Sequence, residues 1–445
     1  MTWEEVTELL LGQDWTGVKT NLERITELMR LAGDPQKKLR YLHIAGSNGK
    51  GSAAAMLSEI LIRSGYRTGR YISPHLNRMN ERYTIDGREI SNGDLAALAR
   101  ELSVLCRQME EKPTNYEMLT ALAFLYFERR KCDIVVLEVG LGGRFDATNV
   151  IEAPLVSLIM HIALEHTEQL GDTITKIASE KGGIVKQGCD TVLYAQSPEA
   201  EEVIRRICEE HQAPLVITDP SKLAVSDPGL AIARPGAVSP QIFDYKDRKG
   251  LELSLLSCYQ PRNAAVVLET VDLLRRKHGF DIPEQAVRDG LRQVRWPGRF
   301  QILTEDPLFV LDGAHNPDGC QALAESIGRY FGGRRIILLM GVMADKNYRR
   351  MLDIMAGAFD PSDPGAPVLC TFIALAPEGN RALPADALEA EIRARFDCPV
   401  MSCGGVAAGV TAAREVAAAH AEEDPVILAF GSLYQAGEIL EIMHC

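Results

Sequence analysis

The sequence predicts an α/β protein: an N-terminal phosphate-loop-type domain on a mostly parallel sheet, then a smaller C-terminal Rossmann-like α/β domain. Three observations predict it. Buried-strand patterns alternate with helical patterns through the first half, as a parallel sheet covered on both faces requires. A glycine-rich loop, Gly46-Ser47-Asn48-Gly49-Lys50-Gly51-Ser52, stands between a strand and a helix. Beyond Trp296 a second strand–helix series begins, and four of its strands run straight into polar or glycine-containing loops.

The elements follow in order. Leu22 to Leu31 has apolar residues at helical spacing and stops at Gly33-Asp34-Pro35. A strand over Leu39 to Ala45 leads into the glycine loop, and Ala53 to Ser64 is the helix after it. Arg67 to Ile72 reads as a strand ending in Ser73-Pro74-His75. A helix through Tyr116 to Arg130 precedes the strand Ile134 to Val139, which opens into Gly140-Leu141-Gly142-Gly143-Arg144-Phe145-Asp146. Leu155 to Ile162 is a further buried strand, followed by Glu165-His166-Thr167. Ser221 to Gly250, rich in Pro, Asp and Gly, reads as an irregular excursion with short strands. Helical patterns resume at Asn263 to His278 and Pro283 to Gln293, and Trp296-Pro297-Gly298-Arg299 is a hinge candidate. The expected domains are therefore 1–295 and 300–445, joined by 296–299. In the second, strands are expected at Leu308 to Leu311, Arg335 to Met340, Val368 to Ala374, Pro399 to Met401 and Val426 to Phe430. The alanine-rich Val406 to Ala419 is helix-forming. Loops 312–316, 341–346, 377–381 and 431–434 share the carboxyl edge of a parallel sheet, where ligands bind.

Composition removes several classes. With 46% hydrophobic and 24% charged residues the chain is neither disordered nor fibrous. A net charge of -13 argues against a broad nucleic-acid-binding face, so anionic ligands need local cations. The ten cysteines form no Cys-x-x-Cys, which leaves reduced thiols and neither a zinc site nor a redox pair. The start, Met-Thr-Trp-Glu-Glu-Val, has no basic-then-apolar order, and Ala153 to Leu164 is too short to span a bilayer. A soluble cytoplasmic monomer is the expectation.

The glycine loop carries the strongest chemistry. Its glycines let several backbone N–H groups curl toward one anion, and the following helix adds its positive end. Lys50 can reach the outer phosphates of a nucleotide as a compact charge. The strict nucleotide-loop pattern needs Ser or Thr after the lysine, and here Gly51 stands there with Ser52 one further on. Taken alone, the segment also has a plainer, minority reading as a strand-to-helix turn.

This variant resembles the loop of folylpolyglutamate and dihydrofolate synthases, within the Mur ligase superfamily. The likeness continues in order along the chain. It takes in Ser73-Pro74-His75-Leu76, Tyr116-Glu117 with Thr120-Ala121, Glu138 to Asn149, and Glu165-His166-Thr167 with Ile177 to Lys186. Tyr259 to Ala264, Trp296 to Arg299, Asp312 to Pro317, Asp345-Lys346 and Gly431 to Tyr434 complete it. Three positions depart from the family pattern: Glu165 stands for Asp, Tyr116 for Phe and Gly183 for Ala.

The resemblance implies ATP held by Asn48, Gly49, Lys50, Gly51 and Ser52, with Asn263, Arg299 and Asp312. It implies Mg²⁺ at Ser73, Glu138 and His166, and a carbamylated Lys181 able to hold a second ion. His315 and Ser432 are candidates for contacting L-glutamate or the nucleotide. Lys50, His166, Lys181 and His315 form the expected catalytic set. The implied activity is ATP-dependent addition of L-glutamate to a folate, or to dihydropteroate, through an acyl phosphate. Each residue also has a plainer reading: Ser73 as a turn residue, Glu138 as a solvent-facing carboxylate, His166 as a structural histidine and Lys181 as a helix-surface lysine. Arg299 could pair with a local carboxylate, and His315 could cap the helix after Pro317. Two other functions stay open. One is a Mur-type ligase on another carboxylate, against which stands the expectation that no nucleotide-sugar domain precedes Gly46. The other is a nucleotide-regulated binding protein without catalysis.

Overall fold

The computed structural model describes residues 21–226, 239–360 and 362–444, together with Val6, Thr7 and Leu10. Part of the expected excursion (227–238), most of the N-terminal stretch read against a signal peptide, and Cys445 lie outside the described residues. The chain divides into two compact units, Met1–Leu223 with Arg262–Gln293 and Ala224–Pro261 with Val294–Cys445.

The first unit opens with α1 (Glu23–Leu31), β1 (Tyr41–Ala45), α2 (Lys50–Arg63) and β2 (Thr68–Tyr71). Next come β3 (Tyr83–Ile85), β4 (Arg88–Glu89), α3 (Asn92–Cys106), α4 (Asn115–Arg129) and β5 (Ile134–Glu138). Then follow β6 (Val156–Ile159), α5 (Thr167–Leu170), α6 (Ile174–Gly182), β7 (Asp190–Leu193), α7 (Pro198–Glu210) and β8 (Leu215–Ile217). The eight strands form one sheet in the order β4-β3-β2-β5-β1-β6-β7-β8. From β2 to β8 all neighbours are parallel, and only the β2–β3–β4 edge is antiparallel. β1 sits at the centre with all five residues buried, as a parallel strand covered on both faces must be.

Local chemistry fixes the helices on this sheet. Thr114 and Glu117 form a reciprocal capping box at the start of α4, its side-chain–backbone bonds being 3.2 and 2.7 Å. The same Glu117 carboxylate receives both Nε and Nη2 of Arg24 at 3.1 Å, tying α1 to α4 through a buried fork. The apolar face beneath them, including Ile25, Leu28, Leu122 and Phe124, belongs to one core.

β9 (Leu223–Val225), β10 (Gln241–Tyr245) and β11 (Arg248–Leu253) make a separate three-stranded sheet. Residues 224–261, expected within the first domain, group with the second unit. Leu256 joins that unit's core, and the Ser257 and Cys258 amides bond Tyr330 and Ser326 at 3.3 and 3.2 Å. The chain continues through α8 (Gln260–Lys277) and α9 (Glu284–Gln293).

The second sheet comprises β12 (Gln301–Glu305), β13 (Leu308–Leu311), β14 (Arg335–Met340), β15 (Val368–Leu375), β16 (Val400–Cys403) and β17 (Val426–Phe430). Among these lie α10 (Pro317–Phe331), α11 (Tyr348–Gly357), α12 (Ala385–Arg393) and α13 (Val406–Ala419), and α14 (Leu433–Ile442) follows β17. The order is β12-β13-β17-β14-β15-β16, parallel except for β12 against β13. Among the described residues no helix is long and apolar enough to cross a membrane.

Candidate active site

In the first sheet, Ser73 follows β2, Glu138 ends β5, the glycine loop follows β1, and His166 lies beyond β6. These four strands are neighbours in that order and run parallel, so their carboxyl ends present all four segments along one edge. The register sets Glu138 beside Ile44, two residues before Gly46.

The loop is braced from the β6 side. The Ser47 and Asn48 amides both donate to the His161 carbonyl, at 2.7 and 3.3 Å, and Ser47 Oγ exchanges bonds with both backbone groups of Ala163. Gly49 takes a positive φ of 88° as the N-cap of α2, and the first intrahelical bond runs from Ala53 to Gly49. The amides of Lys50, Gly51 and Ser52 thus precede that bond, the position at which a helix receives an anion. Lys50 Nζ folds back onto the Gly46 and Ser47 carbonyls at 2.8 and 3.1 Å. Asn263 of α8 closes on the loop so tightly that a Cβ on Gly49 would lie 2.6 Å from its Oδ1. A Cβ on Gly46 would lie 2.6 Å from Met160 Cβ and 3.1 Å from its Cα. Gly46→Ala should therefore destabilise the protein by about 2 kcal/mol and displace the loop. Denaturant unfolding and nucleotide titration of the variant check this, and an unchanged midpoint would refute the tight approach.

Glu138 is buried, at 5% exposure, and does not face solvent. Burial pulls the Arg70 guanidinium down to about 10, and Glu138 is the largest charge opposing that fall. Ser73 Oγ is buried with no hydrogen-bond partner. A buried hydroxyl and a buried carboxylate at the carboxyl ends of adjacent parallel strands suit an oxygen-seeking cation that keeps several waters, so Mg²⁺ fits these two residues. His166 is exposed at the same edge with φ 46°. Among the described residues, no three His, Cys, Asp or Glu side chains form a metal cluster by themselves.

Lys181 is no surface lysine. Its side chain is 1% exposed and its Nζ lies 2.8 Å from Glu165 Oε1. Burial alone raises the Glu165 carboxyl, but Lys181 and then Lys50 outweigh it and hold the group down at about 2. Burial likewise pulls the Lys181 ammonium down, with Glu165 opposing and Lys50 adding to the fall. Lys50, Glu165 and Lys181 therefore share one electrostatic environment. As an ammonium Lys181 is no metal ligand; only a modified side chain could serve as one.

The residues that hold this edge together went unassigned in the sequence reading. Asp146 is buried and accepts from the Gly140, Leu141 and Thr148 amides at 3.0, 2.9 and 3.0 Å, and from Thr148 Oγ1 at 2.6 Å. Burial pushes its carboxyl up, against those donors. Asn149 Nδ2 bonds the carbonyls of Arg144 and Gly183 at 2.9 and 3.0 Å, joining the 140–146 loop to the end of α6. There a Cβ on Gly183 would lie 2.5 Å from Arg144 Cβ, which accounts physically for glycine at that departure from the family pattern.

In the second unit, Asp312 ends the β13 run and is 3% exposed. It accepts from the Phe300 and Ala314 amides, both at 2.8 Å, and from Tyr259 OH at 3.5 Å. Burial pushes the carboxyl up, and Arg299 is the first charge opposing this. The Gly313 amide bonds the Gly298 carbonyl at 2.7 Å, so Asp312 and its neighbour lock the 298–300 turn onto the sheet edge. His315 Nδ1 contacts the Gly313 carbonyl at 2.7 Å, and Asn316 rather than His315 caps α10. Ser432 is buried and caps α14 by accepting from Tyr434.

Residues 44–268 match the family Mur ligase middle domain, and residues 298–433 match Mur ligase, glutamate ligase domain. The class is thereby defined: the protein is an ATP-dependent acid–amino-acid ligase of the Mur type. It is 37% identical over 355 residues to the dihydrofolate synthase/folylpolyglutamate synthase of Bacillus subtilis, covering 79% of this chain and 82% of that one. A Mycobacterium tuberculosis folylpolyglutamate synthase complexed with ADP superposes with a TM-score of 0.87 at 30% identity, over 100% of this chain and 98% of that chain. E. coli FolC in complex with DHPP and ADP gives 0.82 at 27% identity, over 99% and 97%. The chain belongs to the folylpolyglutamate synthase/dihydrofolate synthase family.

Proposed function

We propose that the chain joins L-glutamate to the carboxylate of a folate, and of dihydropteroate as a second acceptor, with cleavage of ATP. The observation that carries this is the single sheet edge on which the glycine loop, Glu138, the unpaired Ser73 hydroxyl and the Glu165–Lys181 pair converge. The family relatives supply the substrate class: one is described with ADP and DHPP together.

In this reading the α2 amides and Lys50 receive the phosphates, and Asn263 steadies the loop. Ser73, Glu138 and His166 would hold Mg²⁺, which supplies charge neutralisation at the phosphates when bound. A carboxylate oxygen of the acceptor attacks the γ-phosphorus, and ADP leaves with the electrons of the broken P–O bond. The neutral amine of glutamate then attacks the acyl carbon, phosphate departs, and the amine proton is lost to a base. An α-amino group titrates near about 8, so a base at this edge helps. Arg299, Asp312, His315 and Ser432 are assigned to the second unit's share of nucleotide and glutamate. Domain roles follow: 1–295 without 224–261 for nucleotide, 296–299 as hinge and 300–445 for ligation, with 224–261 grouped with the latter. A cytoplasmic monomer belongs to the same reading; the nine described cysteines are free, as a reducing compartment leaves them.

The test supplies purified protein with ATP, Mg²⁺, glutamate and either tetrahydrofolate or dihydropteroate, and records phosphate release and product mass. Release that needs both glutamate and a pterin, with a mass gain of one glutamyl residue, is expected. ATP consumption indifferent to both would overturn the reading.

A further inference from the structure

We propose that His43 is a positioning residue for the ligase reaction. Through Thr148 and Asp146 it fixes the backbone just after Glu138 to the strand that carries the phosphate loop. His43 lies in the middle of β1, three residues before Gly46, and is 0% exposed. Its Nε2 is 2.8 Å from Thr148 Oγ1. That hydroxyl has one proton and directs it to Asp146 Oδ1 at 2.6 Å. Thr148 must therefore accept from His43, which makes the imidazole the Nε2–H tautomer. Asp146 Oδ2 in turn receives the Gly140 and Leu141 amides at 3.0 and 2.9 Å, two and three residues beyond Glu138. All four bonds converge on the Asp146 carboxylate, two relayed from β1 and two donated by the loop.

Packing alone does not explain a histidine here. His43 Nδ1 is buried with no partner, a cost that a leucine of similar size would avoid. Burial, with Lys186 adding to it, holds the ring's ionisation down to about 3, so the donor is a neutral imidazole under all working conditions. What the histidine provides over leucine is its N–H. The strand pairing of β1 with β5 already sets Ile44 beside Glu138, but it ends there. Beyond it the polar chain continues the register into the loop. This inference rests on the assignment of Glu138 and the glycine loop to one nucleotide-binding edge.

The experiment compares His43→Leu with His43→Gln, which keeps a donor near the Nε2 position. Three readouts are taken: hydrogen exchange of the Gly140 and Leu141 amides, the gain in ADP affinity on adding Mg²⁺, and kcat with the KM for glutamate. His43→Leu should speed exchange at both amides about tenfold and cut kcat about tenfold, with glutamate KM within about twofold of the parent. The Mg²⁺-dependent gain in ADP affinity should fall in parallel, and His43→Gln should restore most of each. Unchanged exchange in His43→Leu, or a glutamine variant no better than leucine, overturns the proposal. Should His43→Leu fail to fold, Thr148→Val against Thr148→Ser poses the same contrast from the other side of the bond. A parent protein without glutamate-dependent turnover would count against the proposed function, whereas the exchange and ADP contrasts would still decide the role of His43.

Discussion

Lys50→Ala should lower turnover by at least about a hundredfold, and nearer a thousandfold if the lysine follows the γ-phosphoryl group through its transfer. The ammonium now rests on the Gly46 and Ser47 carbonyls, contacts that neighbouring waters could replace at its half-buried position. Folding should consequently change little, by about 1 kcal/mol or less. The cost falls on catalysis, because charge builds on the phosphoryl oxygens in the transition state and an alanine offers nothing to it. Lys50→Arg should not restore the rate. The planar guanidinium is wider than an ammonium, and the loop is closed by His161 on one side and Asn263 on the other. The check is kcat for glutamate addition alongside thermal unfolding. A variant with more than a tenth of parental turnover would show that the loop holds no reacting phosphate.

Much of this edge was legible in the sequence because it depends on chain-local signals. Glycines and a lysine between strand and helix predict a phosphate loop, and strands ending in Ser73, Glu138 and Asp312 predict polar groups at the carboxyl edge. The irregular pieces were less legible. The β3–β4 hairpin and the antiparallel β12 gave no strand signal: β3 and β4 are too short to show a period, and all of β12 is only partly buried or exposed. The sequence names Lys181 but not its surroundings, since nothing in Ser179-Glu180-Lys181-Gly182-Gly183 says which face of α6 turns inward. Glu165 counted only as a departure from the family pattern, and its pairing with Lys181 spans 16 residues and two elements. His43 is hidden in the same way, since within an apolar run it reads as one more strand residue. Asp146, Thr148 and Asn149 sit inside a recognisable motif, but which backbone atoms they hold follows only from the packed loop.

Glu165→Gln should destabilise the protein by about 3 kcal/mol at pH 7, because it strands a buried ammonium beside a second cation. Lys181 is 1% exposed and Glu165 12%, so solvent can do little to replace the lost charge. The pH dependence has a definite sign. Glu165 titrates at about 2 when folded, against an ordinary value of 4.5, so its stabilising contribution is complete above pH 4.5 and is lost as the pH falls toward about 2. The gap between parent and Glu165→Gln should close over that window and stay constant above it. Adding Lys181→Met should recover much of the loss, since an apolar side chain of similar length removes the stranded charge. Turnover should remain absent in the double variant if Lys181, as ammonium or as carbamate, serves the reaction. Chemical denaturation of the three proteins at pH 7 and at about pH 2.5, inside that window, decides the matter. A glutamine variant as stable as the parent at pH 7 would mean that Lys181 does not carry its positive charge in the folded protein, as carbamylation would require.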